Sequence, residues 1–278
     1  PDPRTLIGRG KLLELNVLCL QKAADVVVFN HELSPAMARN LDEELPVKVI
    51  DRTQLILDIF AQRASSAEGK LEVELARLVH ALPRLRSEDD KMPQIRGGIG
   101  SDRGVGEPKI ELDKRKIKRR IALLESKLAK IGSQRRELRK HRERNQIPVV
   151  ALVGYTNAGK TTILNRITAA DAPAGPQLFM TLESVSRRFT LPSGRRIILV
   201  DTVGFIRDLP PGLMRAFKAT LEELQGADLL LHIADASDPD VFRQIDVVEQ
   251  VLEEIGLADR PRLLVFNKAD QIDLESFK

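Results

Sequence analysis

Eight consecutive residues, Gly154, Tyr155, Thr156, Asn157, Ala158, Gly159, Lys160 and Thr161, carry the most legible chemistry in this sequence. They fit G-x-x-x-x-G-K-[ST], the pattern of a loop that cradles a polyphosphate. Its glycines let backbone N–H groups turn inward on the anion, and the positive end of the following helix adds a favourable dipole. Lys160 is expected to reach the terminal phosphates, and the Thr161 hydroxyl suits an oxygen-seeking cation such as Mg²⁺. Asn157 offers a further oxygen, which either ligates a monovalent cation such as K⁺ or stabilises the loop.

Two later stretches extend that chemistry. Asp201, Thr202, Val203 and Gly204 follow the apolar run RRIILV, with Asp201 lying 41 residues after Lys160. Asp201 is placed to hold Mg²⁺ through water, and Gly204, having no side chain, lets its N–H approach a γ-phosphate. A second hydroxyl for the metal is expected from the Ala-, Pro- and Gly-rich stretch Ala169 to Ser184, whose only threonine is Thr181. If that stretch is mobile and its order depends on the γ-phosphate, it forms a switch. Lys160, Thr181 and Gly204 are thus the candidate catalytic groups.

Asn267, Lys268, Ala269 and Asp270 follow another apolar run, PRLLVF. A carboxylate accepts two hydrogen bonds from a base only where two donors are adjacent, as in guanine. Adenine offers an acceptor there, so Asp270 favours GTP and GDP over ATP. Asn267 supports the loop and the Lys268 stem lies along the base. Phe205 occupies the position after Gly204, where a Ras-type GTPase has a water-orienting glutamine. Hydrolysis is therefore expected to be slow until a partner, or another side chain of this chain, completes the site.

These motifs need strand ends and helix starts to position them, and the surrounding sequence supplies both. PVVALV (148–153) reads as a buried strand and TTILNRIT (161–168) as a helix. SVSRRFTL and RRIILVD read as a hairpin, Pro210 to Gln225 as a helix, Ala227 to Asp235 as a buried strand, and Asp238 to Gly256 as a capped amphipathic helix. Such alternation predicts a doubly wound sheet with its ligand at the carboxyl ends of the strands.

The first 66 residues read as a small α/β unit. Strand-like runs at 24–30 and 46–51 flank a helix whose start is marked by Ser34 and Pro35, a parallel βαβ arrangement. His31 and Glu32 follow the first of these strands, but no partner constellation supports a catalytic role. Leu71, Leu75, Leu78, Leu82 and Leu85 then form a heptad stripe, predicting a helix over 67–86, roughly 30 Å long. Ile117, Ile121, Leu124, Leu128, Ile131 and Leu138 continue the rhythm, interrupted at Arg135. The two stripes predict an antiparallel, coiled-coil-like arm. At its tip, 96–107 has five glycines in twelve residues. The domains expected are therefore an α/β subdomain at 1–66, a helical arm at 67–146 and a nucleotide-binding domain at 147–278.

The chain of 278 residues has a net charge of +4, but the charge is unevenly spread. From Lys109 to Arg144 there are 15 Lys or Arg and 5 Asp or Glu, so this helix carries +10 and the remainder −6. A concentrated basic block points to a polyanionic partner, and makes RNA contact the preferred reading for Arg96, Gly97, Gly98, Arg103, Arg119 and Arg120. A flexible connector is the alternative reading of the glycine-rich tip. The single cysteine, Cys19, excludes an intrachain disulfide and is expected to be a small buried apolar residue in a reducing compartment. No apolar run reaches membrane-spanning length, which favours a cytoplasmic protein or an organellar one with a removed leader. Starting at Pro1 and stopping eight residues after Asp270, the sequence reads as part of a longer chain.

With these residues assembled, the sequence resembles the HflX family of ribosome-associated GTPases. The resemblance rests on GYTNAGKT, the stretch Phe179, Met180, Thr181, Leu182 and Glu183, the extended DTVGFI and NKAD. It also rests on LSPA, IDRTQLILDIFAQRA, GKLEVELA and the RGGIG…GE loop. It implies a Mg²⁺-dependent GTPase, monomeric off the ribosome, that binds the large subunit and its rRNA. Rescue of stalled ribosomes by subunit splitting under stress, or large-subunit assembly, would be the role. The glycine-rich tip would reach toward the peptidyl-transferase region. Asp102, Val105 and Pro108 depart from the family loop, Glu183 stands where aspartate is usual, and the last guanine-contacting loop is not in this sequence. Three other readings stay open: a GTP-dependent RNA-processing or tRNA-modifying factor, an rRNA-binding protein whose GTPase only tunes release, and a signalling GTPase. The basic block argues against the last.

Overall fold

The computed structural model describes residues 2–85, 109–144, 146–169, 175, 184–207 and 224–272. Its contacts group the chain into two compact units, Pro1–Asp58 with Glu74–Glu125, and Ile59–Val73 with Ser126–Lys278.

In the first unit, β1 (Val26–Phe29) and β2 (Lys48–Asp51) pair in parallel, with Val27 opposite Val49 and Phe29 opposite Asp51. The connecting helix α2 (Pro35–Glu44) starts as its sequence dictates. Ser34 Oγ accepts the Met37 N–H at 3.2 Å, and Pro35 occupies a position where no N–H is needed. Leu12, Phe29, Leu33, Leu41, Leu45 and Val49 close over one another as the core. Leu12 comes from α1 (Arg9–Gln21), a helix the sequence reading did not foresee. Apolar residues surround its axis, leaving Leu13 and Leu20 exposed, so no single 3.6-residue stripe stands out. Cys19 lies buried on the same helix, as expected.

Asp51 closes the end of β2. Its side chain accepts the N–H groups of Leu33 at 3.2 Å and Gln54 at 2.8 Å, and it contacts the Arg84 guanidinium. Arg84 also donates to the Leu33 carbonyl at 2.9 Å, and His80 Nε2 lies 3.6 Å from Asp51. Burial disfavours the charge, yet His80, Arg84 and the Gln54 N–H together hold the Asp51 carboxyl well below the usual range.

Three helices follow: α3 (Arg52–Arg63), also unforeseen, α4 (Ala67–Ala81) and α5 (Lys109–Arg144). The helix expected over 67–86 ends at Ala81, and Leu82–Arg84 tightens into a 3₁₀ turn. Pro83 accounts for this, because its ring disfavours continued α conformation in the residue before it. Two ion pairs run in opposite order along α4 and α5, showing them antiparallel. Arg120 grips Glu74 through Nε (2.7 Å) and Nη2 (2.9 Å), and Arg135 Nη2 reaches Glu68 at 2.6 Å. Leu124 and Leu128 are buried along the predicted stripe of α5. Where the stripe breaks, Arg135 spans the seam as half of an ion pair. With 36 residues, α5 is about 54 Å long.

The second unit holds a five-stranded sheet of β3 (Val149–Gly154), β4 (Val185–Thr190), β5 (Arg196–Asp201), β6 (Leu229–Asp235) and β7 (Arg262–Asn267), in the order β4-β5-β3-β6-β7. Only β4 is antiparallel, the predicted hairpin partner of β5, and Gly194 supplies the positive φ its turn needs. Central β3 is apolar on both faces, as a strand covered on both sides must be. On one side Leu152, Leu164, Ile197 and Leu199 pack under α6 (Lys160–Thr168). A second described helix, α7 (Val241–Glu254), buries Val241, Val248, Val251 and Leu252. Asp240 at its start caps nothing with its side chain. Asp238 instead accepts the Asp240 N–H and the Gln244 amide, both at 2.8 Å. Residues 208–223, most of the helix expected at 210–225, lie outside the described residues, and Leu224–Gly226 forms a 3₁₀ turn.

Candidate functional site

Parallel pairing of β3 with β5 on one side and β6 on the other puts a reversal of strand order at the carboxyl end of β3, the place where open α/β sheets bind ligands. The loop from Gly154 to Lys160 lies there. Gly154 has φ 151°, and a Cβ on it would stand 2.2 Å from the Ile233 carbonyl oxygen of the neighbouring strand. Gly159 has φ 92°, and a Cβ there would fall 2.2 Å from Asn267 Nδ2. Both positions therefore require glycine: the first because two backbones touch, the second because two motifs meet.

The Lys160 side chain is folded inward, its Nζ donating to the carbonyls of Gly154 (3.1 Å) and Tyr155 (2.8 Å). Burial pulls its ammonium down from 10.5 to about 8, against the opposing attraction of Asp201. Gly204 closes the same space, since a Cβ on it would lie 3.0 Å from Lys160 Nζ and 2.8 Å from Thr156 Cα. Thr202 anchors its strand end by donating to the Leu152 carbonyl at 2.7 Å, and Val203 is buried.

Thr161 Oγ1 donates to Asp201 Oδ2 at 2.6 Å, joining the start of α6 to the end of β5. A hydroxyl and a carboxylate held together, both hard oxygen donors, fit a Mg²⁺ site. Thr181, the third expected donor, lies outside the described residues, as do Phe179, Met180, Leu182 and Glu183. No group of three or more His, Cys, Asp or Glu side chains able to hold a metal occurs among the described residues. Asn157 is exposed and left-handed at φ 64°.

Asn267 bridges two motifs, its Nδ2 donating to the Ala158 carbonyl at 2.8 Å, which ties the NKAD loop to the loop of Gly154 to Lys160. Lys268 is left-handed at φ 57°, and Ala269 and Asp270 begin a 3₁₀ turn that ends at Gln271. Phe205 is 1% exposed and packs in the interior as a core residue. Its N–H donates to the Gly154 carbonyl at 3.0 Å, and its carbonyl accepts the Thr156 N–H at 2.8 Å. Tyr155 Oη accepts the Arg207 N–H at 3.2 Å.

Sequence reasoning missed two groups. Asp235, at the end of β6, receives Lys268 Nζ at 2.6 Å. Its place at the carboxyl end of an apolar strand, like that of Asp201, was the available signal. His232, buried within β6, lies 3.2 Å from Glu249 Oε1, and Glu249 also contacts Arg262. Burial, and then the cations Arg262 and Lys160, push His232 down to about 4. Of the proposed RNA-facing residues, Arg96, Gly97, Gly98 and Arg103 lie outside the described residues. Arg119 is exposed, and Arg120 is engaged with Glu74.

A phosphate loop at the strand-order reversal, a Thr161–Asp201 pair and an NKAD loop after β7 together define a P-loop GTPase fold. Three family models match in succession: GTP-binding GTPase N-terminal over 1–61, GTP-binding GTPase Middle Region over 63–142, and 50S ribosome-binding GTPase over 149–268. The chain is 51% identical over 268 residues to GTPase HflX of Caldanaerobacter subterraneus subsp. tengcongensis, covering 96% of this chain and 62% of that one. It is 48% identical to GTPase HflX of Escherichia coli, covering 98% and 64% respectively. A crystal structure of SsGBP in complex with GDP aligns with a TM-score of 0.53 at 29% identity, covering all of this chain and 74% of the other. The chain belongs to the HflX family. It spans a little under two thirds of the curated relatives it matches. No described helix is long and apolar enough to cross a membrane.

Proposed function

We propose that this chain binds and hydrolyses GTP in a Mg²⁺-dependent manner, and that its nucleotide state governs binding to the large ribosomal subunit. The convergence of Lys160, the Thr161–Asp201 pair and the Asn267–Ala158 bond at the carboxyl end of one sheet carries this reading. Gly154 to Thr161 hold the phosphates through backbone N–H groups. Lys160 exchanges its two carbonyl acceptors for phosphate oxygens, and Asp270 selects guanine. Thr161 and Thr181, with Asp201 through water, would hold a Mg²⁺ that would neutralise charge on the phosphates. Because Phe205 is interior, this chain's own residue after Gly204 does not orient water, and turnover is slow until the ribosome contributes. A K⁺ site at Asn157 belongs to the same reading.

The ribosomal half of the reading is supported by the family description and by the +10 charge of 109–144. The helical arm at 67–146 is the rRNA-binding element, between an α/β subdomain at 1–66 and the GTPase domain at 147–278. Rescue of stalled ribosomes or large-subunit assembly would be its use, in the cytoplasm, with the protein monomeric when free. The test is co-sedimentation with large subunits, loaded with a non-hydrolysable GTP analogue or with GDP, alongside steady-state hydrolysis. Tighter pelleting with the analogue and subunit-stimulated hydrolysis are expected. Identical pelleting in both nucleotide states would overturn the switch, and binding confined to tRNA or free RNA would favour an RNA-processing factor.

A further inference from the structure

Lys268, the second residue of the NKAD loop, is held by a group from outside all the sequence motifs. Its Nζ lies 2.6 Å from Asp235 Oδ2, with side chains 25% and 12% exposed. Asp235 ends β6 directly opposite Asn267, which ends β7. The Ala236 N–H donates to the Asn267 carbonyl at 2.9 Å, so both strand ends are also joined by backbone. The Asp235 carboxylate is fixed independently of Lys268, because Oδ1 takes the Ser237 N–H at 3.0 Å and the Ser237 hydroxyl at 2.6 Å. That division leaves Oδ2 for the ammonium alone. Burial opposes the charge on Asp235, but the Lys268 and Ser237 hydrogen bonds outweigh it and keep the carboxyl below its ordinary value.

Resting on the guanine-nucleotide reading above, we propose that Asp235 is a positioning residue for base recognition, which acts by holding Lys268 extended across the base-binding loop. A lysine stem has four carbons and many rotamers, and a base can lie along it only when it is straight and stationary. Anchoring the ammonium on a carboxylate from the neighbouring strand settles that geometry before the nucleotide binds, so the ordering cost does not fall on the binding step. Since the loop also carries Asn267 and Asp270, the same anchor sets their distance from the phosphate loop. The effect falls on the base, so GDP and GTP feel it equally.

The test is a double-mutant cycle on the full chain, with a fluorescent GDP and Mg²⁺ as the probe, and with unlabelled GDP, GTP analogue and ADP as competitors. D235A is expected to weaken GDP and GTP analogue alike, by about tenfold, and D235N by less, because the amide oxygen still accepts from Lys268. In a K268M background the same D235A change is expected to cost less than twofold, since the group it positions is gone. S237A, which frees the carboxylate to swing, is expected to repeat the pattern at smaller amplitude and provides the cycle if D235A does not fold. An equal loss with and without Lys268 shows a purely structural aspartate and overturns the proposal, as does full affinity in D235A. A wild-type chain that binds ADP as well as GDP, or neither, overturns the guanine reading and this role with it.

Discussion

Lys160 is predicted to cost the nucleotide-free protein stability that Lys160→Met recovers. Burial moves the ammonium from 10.5 to about 8, and at about 1.4 kcal/mol per pH unit this sets an upper limit of about 3 kcal/mol on the penalty. Two hydrogen bonds are lost in return, each worth about 1 kcal/mol. Their acceptors are not stranded, because the Gly154 carbonyl also receives the Phe205 N–H and the Tyr155 carbonyl the Ala158 N–H. The variant should therefore be more stable than wild type by up to about 1 kcal/mol at pH 7. The sign reverses the usual lysine case. Below pH 8 the side chain is protonated in both folded and unfolded chains, and the whole penalty is present. Between pH 8 and 10.5 the folded chain releases the proton while the unfolded chain keeps it, so wild-type stability rises with pH and the advantage of the variant shrinks. Urea unfolding followed by circular dichroism, at intervals from pH 7 to 10, measures this directly. Saturating GDP with Mg²⁺ should then invert the order, since ligand at about 100 times its Kd adds about 2.7 kcal/mol to the binder alone. Equal stabilities at pH 7, or an advantage that does not change with pH, would mean that the buried ammonium costs the fold nothing.

Gly204→Ala should impair GTP-analogue binding at least tenfold, because its Cβ would crowd Lys160 Nζ and Thr156; competition titrations check this. His232 is charged in the unfolded chain below about pH 6.5 but resists protonation in the fold until about pH 4, so stability should fall as pH drops through that window. His232→Asn should flatten that fall in urea titrations between pH 4 and 6.5. Large-subunit binding should weaken steeply with salt, and Arg119→Glu should weaken it several-fold in sedimentation at fixed salt. Arg120→Glu should do so only in part through RNA, because it also breaks the Glu74 pair; adding Glu74→Arg should restore the helix contact and with it only part of the ribosome affinity.

How far the sequence could be read depended on how local each signal is. Ser34–Pro35, the hairpin at Gly194 and the apolar run of β3 are decided by neighbouring residues, and the structure places each as expected. The heptad stripe located the seam of α5 but overran α4, where Pro83 was the stronger instruction. Helix α1 escaped notice because its apolar residues surround the axis, and only packing on β1 and α2 selects which of them is buried.

For the site, sequence alone determined the chemistry: a lysine and a hydroxyl after a glycine-rich loop, an aspartate ending β5 and an NKAD loop. That Gly159 meets Asn267, that Phe205 turns into the core and that Asp235 holds Lys268 follow from strand pairing and packing instead. Motif residues lie a few positions apart, and their spacing reflects short-range geometry. Asp235 and Lys268 are 33 residues apart and adjacent only because β6 and β7 pair in one particular register, which no local pattern encodes.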